Sequence, residues 1–377
     1  MQLVRRILAW FAPTRVYAGT YALFAIAGAV SCFVPLFDLI GYESAAFFGV
    51  LGGLAATGLT LHAVKRDLVE APLATTRVTS PAAAFCALWV RHLGLLLVPL
   101  ALLALNALRV QNCAVGVGLA LWLAIPVLSI LCGQLIAWTA LVLFPRQPRG
   151  RLLFCAAVIV VSIAAPVAHL ALQPPIVGHQ IFLGYFSGSI YDEALAMPES
   201  LSWYRLMHLA AAIVILAVIE AVWRARNGRR WHWMLLVVLA AAIGFTTIWW
   251  HRKDLGIGID RGYIQQELDG RIETEHFVIH YPRTDWFLRR REALAEDHEY
   301  RYDELADFFE TDPAAQKKIH SYVYPNRDEK GRLMGARDTL VAKLWLHEMH
   351  IGWNGFGEHT LAHELAHILP SRSAPGR

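Results

Sequence analysis

Of 377 residues, 56% are hydrophobic and only 17% are charged, with a mean hydropathy of +0.42. Soluble domains carry about 25% charged residues, so this composition excludes a wholly soluble chain and indicates a membrane protein. The net charge of +4 comes without any Lys/Arg-rich surface interleaved with aromatics, which argues against a nucleic-acid partner.

The charges are unevenly placed. Twenty-two of the 30 acidic residues and 18 of the 34 Lys and Arg lie after residue 250. Two domains follow from this: an apolar region over 1–250 and a region of ordinary globular composition over 251–377, with the boundary near Trp250–His251. Cys32, Cys86, Cys113, Cys132 and Cys155 all fall in or beside apolar segments, where they read as small buried side chains. A metal in the second region therefore has only His and carboxylate to bind it.

Stretches of roughly 20 apolar residues, enough to cross a bilayer, occur about seven times. They are Val16–Phe37, Ala45–Val64, Pro81–Leu105, Val115–Phe144, Leu152–Leu172, Leu206–Val222 and Trp233–Trp250. The third carries Arg91 and His92, which moves its apolar start later. The fourth is overlong and holds Pro126, which predicts a tilt or kink. Short loops set the orientation. Arg5, Arg6 and Arg15 precede the first span, and Lys65, Arg66 and Arg77 follow the second. Arg146, Arg149 and Arg151 follow the fourth, and Arg224, Arg226, Arg229 and Arg230 follow the sixth. The alternate loops hold only Arg109. The positive-inside rule then predicts a cytoplasmic N-terminus and an extracytoplasmic, periplasm-facing domain after residue 250, in a bacterial inner or plasma membrane. The first span is not read as a cleavable signal, because no small-residue cleavage site ends it.

The outer loop 173–204, with Gly184-Tyr185-Phe186 and Tyr191-Asp192-Glu193, reads as an ordered connection, or as a segment that packs beneath the terminal domain or lines a cavity. His62, Arg91, His92, His169, His208 and Glu220 are the ionisable residues within spans, most of them near the ends. The chain holds no Gly-x-x-x-x-Gly-Lys-Ser/Thr loop to power transport.

In the last region, Arg271–Tyr281 alternates and predicts a strand. Asp285–Glu310 carries Leu294, Leu305, Phe308 and Phe309 on one stripe and predicts a helix ended by Asp312-Pro313. Lys318–Tyr324 predicts a second strand. A turn at Asp328–Gly331, a short strand near Leu333-Met334, a longer strand over Thr339–Ile351 and a helix over His359–Leu369 complete the pattern. The expected fold is a membrane all-α domain of about seven transmembrane helices, followed by an α+β subdomain whose small sheet lies beside the last helix.

That helix carries His-Glu-Leu-Ala-His at 363–367. His363 and His367 at i and i+4 leave one face and can share a zinc ion, with Glu364 beside them to take a proton from water. The flanks are too polar, and the apolar run too short, for this helix to lie inside a bilayer, which excludes an intramembrane protease.

Glu275-His276-Phe277-Val278-Ile279-His280-Tyr281, the long helix after it, and Leu361 to His367 resemble the peptidase MA-like family, the gluzincin zinc peptidases related to thermolysin. The similarity covers about residues 271–370, under a third of the chain. It implies a thermolysin-like catalytic subdomain with Zn2+ held by His363 and His367 and with Glu364 as general base. It also implies a peptide or protein substrate paired as an extended strand with the edge strand Thr339–Ile351. In one respect the chain departs from the family, whose third ligand is a Glu on a later helix. Residues 368–377 hold no Asp, Glu, His or Cys. Three protein ligands plus water is the usual catalytic arrangement, so the reading is of a C-terminally incomplete domain, or of a substitute ligand. His347, His350 and His359 are the histidines near enough in sequence to serve as second-sphere or substrate-facing groups. Successive turns rise about 5.4 Å, so His359, His363 and His367 cannot all bind one ion from a regular helix. The competing reading is a transporter-like or permease-like membrane subunit, working with further membrane-complex subunits, whose degenerate peptidase-like domain only binds.

Overall fold

The computed structural model describes residues 10–67, 80–186, 197–309, 317–353 and 359–369, with the backbone alone for 64–67. Two compact units emerge. One runs to Leu255 but leaves out Pro166–Gly178, which folds with the second unit from Gly256 onward. The composition break is placed near Trp250, whereas the second unit takes in Pro166–Gly178 besides the residues from Gly256 onward. Tyr191-Asp192-Glu193, Asp312-Pro313 and the tail from Ser371 lie outside the described residues.

The first unit is helical: α1 (Arg15–Ser31), α2 (Tyr42–Asp67), α3 (Pro81–Asn106), α4 (Val115–Leu143), α5 (Pro148–Leu172, whose residues from Pro166 fold with the second unit), α6 (Glu199–Arg226) and α7 (Trp233–Trp250). Six of these, α2 to α7, are long and apolar enough to cross a membrane. The expected first span differs. Its helix stops after 17 residues at Ser31, and turns carry the chain through Pro35 and a left-handed Leu36. Proline disfavours helix in the residue before it and has no N–H to give, so the apolar run Val16–Phe37 is helical only as far as Ser31.

Small residues set the packing, as expected where lipid removes any hydrophobic difference between a helix and its solvent. Thr57 in α2 donates to Gly53 O at 2.8 Å and to Gly133 O of α4 at 3.1 Å. A methyl group on Gly133 would stand 2.0 Å from Gly53 O, so only glycine permits this approach. In α4, Pro126 lies within a π turn over Leu123–Val127, the local distortion foreshadowed by its missing donor. The carbonyl of Ile125 there accepts from Ser129 Oγ at 2.6 Å. Arg205, buried in α6, donates to Ser129 Oγ at 3.1 Å and to Ile181 O at 2.7 Å. His92 is buried between Tyr17 OH at 3.0 Å and Gln134 Oε1 at 3.1 Å. Apart from Arg205 Nε, which has no hydrogen-bond partner among the described residues, these polar groups are bonded within the unit, several of them from helix to helix.

The second unit is a mixed five-stranded sheet with helices on both faces. Its elements are α8 (Arg261–Leu268), β3 (Asp269–Glu273), β4 (Phe277–Pro282), α9 (Asp285–Arg289), α10 (Arg291–Phe308), β5 (Ile319–Tyr324), α11 (Arg327–Met334), β6 (Val341–Lys343), β7 (Glu348–Gly352) and α12 (His359–Ile368). A separate two-stranded pair, β1 (Gly178–Gln180) and β2 (Gly184–Phe186), belongs to the first unit except for Gly178. The sheet order is β3-β4-β5-β7-β6. The strands β4, β5 and β7 run parallel, and both edges, β3 and β6, run antiparallel to their neighbours.

Alternation along the strands sorts the side chains. Phe277, Ile279, Ile319, Val323, Met349 and Ile351 face α10 and α12 and form one core with Leu294, Tyr302, Leu361 and Leu365. The intervening residues face α8 and α11. There His280, Tyr322 and His350, cross-strand partners in one row, stack with ring centroids 4.7 Å apart at each step. Burial holds these histidines neutral, pushing His280 down to about 4.

Four local expectations are corrected. Arg271–Tyr281 is not one strand but the hairpin β3–β4, because Thr274 to His276 turn the chain. The helix over 285–310 breaks at Arg290. Leu333-Met334 ends a helix, α11, which Asn326 caps by accepting from Glu329 N at 2.9 Å and which Gly335 closes at φ 89°. Asparagine followed by Glu three residues on, then glycine at the far end, is a helix signature that outweighs the turn reading. Finally, Thr339–Ile351 is two strands, because Leu344–Leu346 form a 3-10 turn and His347 is left-handed.

On the α8 side, the buried Glu348 accepts from Arg261 Nε at 2.5 Å. Removing one partner of such a pair strands the other charge. Arg261→Ala should cost the second unit about 3 kcal/mol in urea unfolding, and adding Glu348→Gln should recover most of it. A loss below about 1 kcal/mol would mean the pair behaves as a surface contact.

Candidate metal centre

The helix α12 is amphipathic. Leu361, Glu364, Leu365 and Ile368 are buried, whereas His359, His363 and His367 are exposed along the opposite stripe. The apolar face settles onto β6, β7 and α10, and this seating orients both motif histidines outward. Their Nε2 atoms converge to 3.1 Å. At that distance one ring can donate its N–H to the other, or both can aim lone pairs at one cation. Two nitrogens about 2.0–2.1 Å from a tetrahedral zinc stand roughly 3.3 Å apart, so the pair fits two coordination positions without moving the helix.

Glu364 is 1% exposed, and neither carboxylate oxygen has a hydrogen-bond partner among the described residues. Burial pushes its pKa up to about 7, with the Lys330 ammonium pulling the other way. Lys330 is itself buried and donates to Thr339 O at 2.6 Å, just ahead of β6. A carboxylate in this setting exchanges its proton near neutral pH, which is the property a general base needs.

The remaining sequence candidates divide. His359 is exposed at the start of α12, two turns before His367, and shares the stripe but not the convergence. His350 is fully buried on the sheet face turned away from α12, where Nδ1 meets Tyr324 OH at 3.0 Å, so it does not face the cleft. The reason is register: Met349 and Ile351 take the α12 side, and alternation sends His350 to the other. His347 sits in the turn before β7, its carbonyl accepting from His320 N at 2.9 Å. No group of three or more His, Cys, Asp or Glu positioned for a metal occurs among the described residues.

Sequence reading missed Lys343 and Trp345, which fasten the edge strand β6. Lys343 Nζ donates to Leu170 O at 2.8 Å, Gln173 O at 2.7 Å and Pro175 O at 3.0 Å, and Trp345 Nε1 donates to Ala171 O at 2.7 Å. Partners some 170 positions apart leave no local pattern to find. Compared with protein families, curated proteins and solved structures, the chain matches none.

Because the folded state holds Glu364 at about 7 against an ordinary 4.5, it binds the extra proton between those values. The associated stability is full below pH 4.5 and is lost as pH rises through 7. In metal-free protein, Glu364→Gln should therefore change stability little at pH 4.5 and raise it by up to about 3 kcal/mol above pH 7. Thermal unfolding at both pH values measures this, and equal effects at both would mean the carboxylate is not buried as a charge.

Proposed function

We propose that this chain is a membrane-bound zinc metallopeptidase that hydrolyses peptide bonds outside the cytoplasm. The observation that carries the reading is the convergence of His363 and His367 beside a buried, unpartnered Glu364. The two imidazoles would hold Zn2+. When bound, the ion supplies a Lewis acid that acidifies water and polarises a carbonyl. Glu364 accepts the proton from the attacking water at its carboxylate and returns it to the leaving amine. The outer edge of β6 offers backbone groups for an extended peptide beside α12. Catalytic zinc takes three protein ligands, so the proposal calls for one more donor, which the described residues do not supply.

Charge alternation supports the extracytoplasmic side. Basic loops follow α2, α4 and α6, and the connections after α3 and α5 are nearly free of Lys and Arg. The segment after α7 then falls opposite the basic loops whether or not α1 crosses. The transporter-like reading draws no support from the buried Arg205 and His92, since each is engaged in helix-to-helix bonds.

The test uses the full-length protein in lipid nanodiscs. Zinc should bind at one equivalent per chain and be lost in His363→Ala and His367→Ala. Glu364→Gln should keep the metal while cleavage of a fluorogenic peptide falls at least a hundredfold. Retained cleavage in Glu364→Gln removes the assigned base, and failure of the parent to bind zinc removes the whole reading.

A further inference from the structure

Resting on the peptidase reading, we propose that the site works at the bilayer surface, and that its substrates are membrane-tethered polypeptides cut in an extended segment close to the lipid. The argument starts at the end of α5. This 25-residue helix is apolar, and only 6% of its most hydrophobic window is buried in the protein, so its flanks face lipid and its last turn marks the membrane boundary. The last carbonyls of a helix have no partners within it. Here Lys343 and Trp345 take two of them, and the accepting residues, within Pro166–Gly178, belong to the second unit themselves. The ammonium of Lys343, 4% exposed, takes Leu170 O together with two carbonyls just past the helix, Gln173 O and Pro175 O, at the negative end of the helix dipole. Trp345 takes the carbonyl of Ala171 while its ring stays 64% exposed, the placement of an interfacial tryptophan with one polar end and one apolar body.

Lys343 is the last residue of β6, the edge strand of the sheet, which pairs with no further strand among the described residues and against which α12 packs. The strand has three residues, or about 10 Å at 3.3 Å each. A peptide paired along it therefore lies within roughly 10–15 Å of the boundary. A soluble folded protein must bring a loop down to the lipid to reach that edge. A chain emerging from the same bilayer is already there, at the high effective concentration that tethering confers.

Co-embedding alone would favour any tethered substrate, so spacing is the decisive variable. One extended cleavable sequence is placed about 5, 15 or 30 residues from a transmembrane anchor and reconstituted with zinc-loaded protein in vesicles. The expected result is at least tenfold faster cutting at the shortest spacing than at the longest. A metal-independent readout accompanies it: a fluorescent amino acid at position 345 should be quenched by lipids brominated high on the acyl chain. Lys343→Met should flatten the spacing profile while zinc stays bound. Equal cutting at every spacing, or no quenching at position 345, overturns the surface assignment and leaves the peptidase standing. Failure to cut any substrate with zinc bound removes the peptidase reading, and this inference with it.

Discussion

The C-terminal end of an apolar helix presents a cluster of carbonyls with partial negative charge and no partners within the helix. At the end of α5 two of them, Leu170 O and Ala171 O, are answered by the Lys343 ammonium and the Trp345 indole N–H. Burial pushes Lys343 down to about 8, with Glu348 opposing, so the charge persists at neutral pH. Much of the second unit is arranged around it. Lys343 pairs across the sheet with Glu348, Glu348 holds Arg261 at the head of α8, and the backbone N–H of Arg261 donates to Gln173 at 3.0 Å. The last turn of α5, the edge strand, the next strand and the first helix of the unit are thus joined through three side chains of alternating charge. Desolvating them is costly unless each finds its partner, so the arrangement tolerates little slippage in register.

The same unit bears a second electrostatic conflict, on α12. Its apolar stripe needs a hydrophobic or neutral residue at 364, yet glutamate stands there, buried and without a hydrogen-bond partner among the described residues. Such a group is expensive to keep for stability alone. Its neighbours His363 and His367 are exposed and converge, the arrangement that the proposed metal chemistry uses. That tension between stability and placement is common at functional sites.

Legibility from sequence followed the reach of the interactions. The long apolar helices α2 to α7 could be read because hydropathy over 18 or more residues is a sum that no tertiary contact reverses. The motif on α12 could be read because i, i+4 geometry is internal to one helix. Boundaries failed where a local signal was overlooked or outweighed. Asn326, Glu329 and Gly335 bracket α11 in plain view, whereas His347 adopts a left-handed backbone that nothing in its neighbourhood announces. His350 could not be assigned to a face until the turn before it fixed the phase of β7.

By itself, the sequence determined the apolar helical region, the alternation of its basic loops, and the pairing of two imidazoles with a carboxylate on one short helix. Each of these depends on composition or on the fixed periods of regular backbone. The tertiary structure decided which face of the sheet each histidine occupies, how deeply Glu364 is buried, and that residues 343 and 345 seize the end of a helix some 170 positions earlier. Burial and long-range pairing arise only when distant segments meet, and chain order carries no direct record of that meeting.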